Sequence, residues 1–131
     1  IRPEWCKKIE SGQKTIEIRK TKPKLKTPFK CYIYCTKSKT SDKSGKVIGE
    51  FICDKIYGLA PLNHAPDDDD VEKQSCLSRE QIVHYLKGKG YGWHISDLMI
   101  YDKLKELMEF TKQNEAQLTK APQSWCYVNG G

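Results

Sequence analysis

No stretch of the 131-residue chain holds the roughly 18 consecutive apolar residues that a membrane-spanning helix needs. No secretory leader pattern opens the chain, and no internal repeat recurs along it. Hydrophobic residues are scarce, at 37%, below the usual globular share, so a modest core under a charged surface is expected. No membrane partner is expected, and a cytoplasmic monomer is. The length fits one domain over residues 1–131. The first residue is Ile1 rather than Met, so a few residues ahead of it, able to complete a strand, are expected to be missing.

Large buried groups are not lacking. Three Trp, seven Tyr and three Phe can build a core. The six cysteines, Cys6, Cys31, Cys35, Cys53, Cys76 and Cys126, sit mostly in apolar or aromatic settings such as Tyr32-Ile33-Tyr34. They read as reduced thiols that pack like small hydrophobes. A zinc site is not expected, because Cys31 and Cys35 on one extended strand would lie roughly 13 Å apart, too far for one tetrahedral ion. The acidic run Asp67–Asp70 reads as a solvated loop. No metal and no cofactor is expected.

Acidic residues are nearly absent from one part of the chain. Residues 1–46 hold 14 Lys and Arg against 4 Asp and Glu, a net of +10, while the whole chain carries +6. A basic half on a small protein fits a polyanionic partner; it also fits a lysine-rich solvated surface.

Local patterns suggest the element order. Pro3 marks the first turn of a short helix, with Trp5 and Ile9 on one face and Gly12 as its stop. Lys14 to Arg19 alternates, with Ile16 and Ile18 on one face and Thr15, Glu17 and Arg19 on the other, which predicts a half-buried strand. Lys20 to Pro28, with four lysines and two prolines, reads as an exposed basic loop. Phe29–Thr36 and Lys46–Tyr57 read as strands joined by a polar tip. Gly49 inside the second suggests a bulge or a close backbone approach. Ser78 and Gln81 form a capping box ahead of a helix with Ile82, Val83 and Leu86 on its apolar face. Trp93–Tyr101 returns to strand, Leu104 to Phe110 suggests another short helix, and Ser124–Val128 a last strand. The sum is an α+β chain with a small, mostly antiparallel β-barrel flanked by short helices.

The segment Gly12-Gln13-Lys14-Thr15-Ile16-Glu17-Ile18-Arg19 resembles the signature of the ASCH family, a GxKxxExR-like pattern on the strand after the first helix. Gly45–Phe51 resembles the family's central strand. Pro122–Tyr127 resembles the closing strand of a branch common in bacteria and their prophages. The resemblance implies a PUA-like pseudo-barrel associated with RNA, and a cleft where Lys14, Glu17 and Arg19 meet. Some family members are amidohydrolases of N4-acetylcytidine; others are described as RNA binders or ribonucleases. In the amidohydrolase branch a threonine stands three residues after the lysine, as nucleophile. This chain has Glu17 there, and Thr15 lies only one residue from Lys14.

Two chemistries follow. For binding of RNA or a modified nucleoside, Arg19 offers a planar fork to phosphate or a base edge, and Lys14 a point charge. Glu17 could accept from a base amino group. Tyr34, Tyr32 or Trp93 could stack on a base. Lys22, Lys24 and Lys26, with Lys20, could track a phosphate backbone, and His94 could face the cleft. The spacing of Glu17 and Arg19 equally suits a surface ion pair. For hydrolysis of an acylated nucleoside, Lys14 would be the base, with Glu17 or Glu50 activating water or protonating the leaving amine. A ribonuclease using His94 and a protein-interaction module are further alternatives. His64 reads as a loop residue and His84 as a helix-surface residue.

Overall fold

The computed structural model describes residues 1–38, 45–59, 68–112, 117–118, 120–121 and 124–129. Helix α1 spans Pro3–Glu10, with Pro3 in its first turn, where a missing N–H costs nothing. Cys6 and Ile9 turn into the core, and Trp5 is half-buried. Gly12 follows at φ +80°, a conformation glycine adopts without strain. Strand β1, Ile16–Arg19, keeps the predicted alternation, with Ile16 and Ile18 buried.

Strand β2 spans Phe29–Cys35 and strand β3 Lys46–Gly58. Most of the polar tip expected between them lies outside the described residues. Helix α2 spans Asp68–Ser75, helix α3 Arg79–Leu86 and strand β4 Tyr91–Lys105. Two short strands, β5 (Thr111–Lys112) and β6 (Val128–Asn129), form a separate pair. Among the described residues the main sheet has four strands in the order β1-β4-β3-β2, every pairing antiparallel.

The α+β, mostly antiparallel architecture with short flanking helices is the one the sequence suggests. The barrel is an incomplete one: among the described residues no ladder joins β1 to β2, and the four-stranded sheet is open. Phe29 of β2 meets Trp93 of β4 edge-on, with ring centroids 5.8 Å apart.

Local readings shift where tertiary pairing wins. Asp68–Asp70 open α2 instead of lying in a loop. Asp67 and His64 lie outside the described residues. The Ser78–Gln81 capping box is present, but Val83 is 51% exposed. Only Ile82 and Leu86, four apart, face inward on so short a helix. Leu104 continues β4, because β3 offers a long partner whose Val47 pairs with Lys105. The expected helix after it shrinks to one 3-10 turn, Leu107–Glu109. Strand pairing covers only Val128–Asn129 at the end, and Trp125 and Tyr127 make side-chain contacts instead.

Gly49 sits at a register shift between β3 and β4. A Cβ there would lie 2.5 Å from the Met99 carbonyl oxygen, a contact only backbone movement can relieve. Gly49→Ala is therefore expected to cost about 2 kcal/mol through overpacking, read as a lower urea midpoint with unchanged m-value.

None of the cysteines described is in a disulfide; Cys6, Cys35 and Cys53 are buried. Burial pushes the Cys31 thiol up to about 12, and Cys6 higher still. Such thiols pack rather than react. No described helix is long and apolar enough to cross a membrane. No group of three or more His, Cys, Asp or Glu side chains is placed to hold a metal ion among the described residues.

Candidate functional site

The alternation of β1 places Glu17 and Arg19 on the face opposite Ile16 and Ile18. Glu17 holds a cation on each oxygen. Oε2 accepts from Arg19 Nη2 at 3.2 Å, and Oε1 lies 3.5 Å from Lys14 Nζ. Lys14 is 1% exposed, the deepest charged side chain described. Its ammonium also donates to the Ser75 carbonyl at 2.6 Å, at the C-terminus of α2, and lies 5.6 Å from the Trp5 ring centre. The negative end of the α2 dipole thus helps hold the buried charge. Burial lowers the Lys14 pKa, with Glu17 pulling the other way. Two cations on one carboxylate leave the cluster with a net charge of about +1 when Lys14 is protonated.

This cluster lies at one side of a groove of about 640 Å³. Glu17 and Arg19 line it from β1, Tyr32 and Tyr34 from β2, and Trp93 from β4. Trp5 contributes from α1, Gln81 and Tyr85 from α3, and Trp125 and Tyr127 from the C-terminal segment. The size is within the range of small-molecule sites.

The lysine loop forms one rim. Pro23 and Leu25 turn into the groove, while Lys22, Lys24 and Lys26 stay exposed between and beyond them. Lys20 Nζ sits 5.1 Å from the Tyr85 ring centre, and Lys22 Nζ 5.6 Å from that of Tyr91. Three polar contacts tie this loop to an aromatic stack. The Trp93 indole N–H donates to the Thr21 carbonyl at 3.3 Å, and the Trp125 indole N–H to Thr21 Oγ1 at 2.8 Å. The Lys24 backbone N–H donates to the Tyr127 hydroxyl at 2.8 Å. Trp125 packs between Trp93 and Tyr127, at 5.8 and 5.3 Å.

Of the residues singled out from sequence, the structure brings Glu17, Arg19, Tyr32, Tyr34 and Trp93 to the groove wall. Lys14 is next to them but does not line the groove. Glu50 is elsewhere: it accepts from the Tyr101 hydroxyl at 2.9 Å and pairs with Lys30 at 3.2 Å. The Tyr101 hydrogen bond leads in drawing its carboxyl below the usual range. His94 does not line the groove either. It follows buried Trp93 on β4 and so faces the other side of the sheet, where Nδ1 lies 2.6 Å from Asp54 Oδ1. That hydrogen bond holds the Asp54 carboxyl low. His84 is on the exposed surface of α3, as expected.

Sequence reading missed Trp5, Thr21, Tyr85, Trp125 and Tyr127 as parts of the site. Four of them had composition as their signal, as aromatic residues of two short helices and the closing segment, while Thr21 carried none.

No family model and no curated protein matches this sequence. Solved structures do. The crystal structure of ASCH from Zymomonas mobilis is 22% identical with a TM-score of 0.70, covering 99% of this chain and 82% of that one. A mutant form of the same protein gives 22%, 0.70, 99% and 83%. A second mutant form gives 22%, 0.65, 82% and 72%. Together with the GxKxxExR-like pattern on β1 and the open antiparallel sheet, these matches carry one structural conclusion: the chain folds as an ASCH-type domain.

Proposed function

We propose that the groove binds single-stranded RNA or a modified nucleoside within it. Arg19 would hold a phosphate, with one or more bases stacked on the aromatic wall. The observation that carries this reading is the net positive Lys14–Glu17–Arg19 cluster set into a groove lined by Trp5, Tyr34, Tyr85, Trp93 and Trp125. A surplus cation selects an anion, and a π-face accepts any base. Glu17 has a cation at each oxygen, which makes it a poorer reader of base amino groups than the sequence suggests. Lys22, Lys24 and Lys26 would follow the phosphate backbone along the rim. The protein would act off the membrane, with RNA as its partner.

Titration with single-stranded RNA at two or more salt concentrations tests this. Replacing Lys22, Lys24 and Lys26 by alanine is expected to make the slope of log affinity against log salt shallower by about 2, at about 0.7 per lost phosphate contact. An unchanged slope would remove the rim from the interface, and no binding by the parent protein would sink the proposal.

Amide hydrolysis has one observation in its favour: burial lowers the Lys14 pKa, as a base requires. Geometry opposes it. The ammonium is spent on the Ser75 carbonyl and Glu17 and does not open onto the groove. Release of cytidine from N4-acetylcytidine, lost in Lys14→Ala, would put this reading in place of binding alone.

A further inference from the structure

We infer that the indole N–H of Trp125 and the hydroxyl of Thr21 form a clasp that sets the height and direction of the lysine loop, which makes both of them positioning residues for backbone recognition. The inference rests on the binding reading above and adds to it the groups that give the basic rim a fixed shape.

A loop with lysines at every second position over residues 20–26 would sample many conformations if left in solvent. Here Thr21 is held twice, through its carbonyl by Trp93 and through its hydroxyl by Trp125. Pro23 is buried, and the next backbone N–H is taken by Tyr127. The restraints fall on Thr21, Pro23 and Lys24, while the side chains of Lys22, Lys24 and Lys26 stay exposed. The clasp therefore fixes the backbone and leaves the ammonium groups for a ligand. Its two halves are 104 residues apart in sequence. The C-terminal segment thus organises a loop made near the start of the chain, and ordering the loop before binding reduces the entropy lost when the ligand arrives.

Thr21→Val is the informative variant. It keeps the side-chain shape, deletes the acceptor for Trp125, and changes a residue that does not line the groove. Trp125→Phe deletes the donor and keeps a ring, although Trp125 also lines the groove. Both variants would be examined by amide hydrogen exchange without RNA, by RNA titration across salt concentrations, and by thermal unfolding. The expected result is faster exchange over residues 20–26 and a loss of affinity of about threefold to tenfold, the scale of one hydrogen bond. The salt slope should become shallower as lysines lose register. The double variant should match Trp125→Phe, since both changes break the same bond. Exchange that stays slow in Thr21→Val would overturn the clasp, whatever RNA does. Faster exchange with unchanged affinity and slope would overturn its positioning role. If the parent protein binds no RNA, the binding reading fails and takes the positioning role with it, while the exchange result still decides whether the clasp exists. Loss of folding in Trp125→Phe leaves Thr21→Val to decide.

Discussion

Arg19→Ala is expected to weaken binding of single-stranded RNA about 100-fold, on the scale of a lost charge-assisted, forked contact. The guanidinium gives Glu17 one contact, through Nη2 at 3.2 Å, and has further N–H groups for a ligand at the groove wall. Its removal leaves Lys14 and Glu17 neutralising each other, so the cluster loses its surplus charge. Arg19→Lys should recover part of the loss, because a point charge remains while the planar fork is gone. Glu17→Gln separates two roles for the carboxylate. If the ligand group is anionic, removing the negative charge holds affinity level or raises it. If Glu17 reads a base amino group, affinity falls about tenfold. Equilibrium titration of the three variants, with circular dichroism to confirm folding, distinguishes these outcomes. Full affinity in Arg19→Ala would place the anion elsewhere.

The second large effect is on stability. Lys14→Ala is expected to cost about 3 kcal/mol, in the range for breaking a buried ion pair by removing one partner. For a chain of this size that lowers the melting temperature by roughly 10 °C. The Ser75 carbonyl loses its 2.6 Å donor, Glu17 loses one of its cations, and a void opens beside Trp5. The Lys14 ammonium also links the end of α2 to β1, so the approach to α3, whose Gln81 and Tyr85 line the groove, loses an anchor. A variant as stable as the parent protein would refute this account of the buried lysine.

Stability should also depend on alkaline pH through Lys14. Burial holds its pKa below the ordinary 10.5. Between the folded value and 10.5, the unfolded chain binds more protons than the folded one, so stability rises with pH across that window. Lys14→Met, which has no titrating group there, should lack this rise when denaturant midpoints are measured from neutral pH upward.

The edges of the groove show which kinds of information lay in the sequence. The alternation from Lys14 to Arg19 fixed which β1 side chains share a face, because side-chain direction along a strand has a period of two whatever the strand pairs with. The same local logic found the Ser78–Gln81 cap, the stop at Gly12 and the crowded position at Gly49. Each is set by a few neighbouring residues or by one missing side chain.

Other features needed distant partners. Whether Glu50 joined Glu17 depended on its cross-strand neighbours, and Tyr101 and Lys30 claimed it instead. His94 was turned from the groove by the burial of Trp93 beside it. Lys14 looked like a charge at the mouth of a cleft, and only the docking of α2 against β1 enclosed it. Trp125 meets Thr21 across 104 residues, a separation over which periodicity carries no signal. By itself the sequence determined the first helix, the Ser78–Gln81 cap, the faces of β1 and the basic character of the first half, since these follow from local sterics and composition. The tertiary structure decided which charges are buried, which aromatics wall the groove and what holds the lysine loop, since each depends on chain segments brought together only by folding.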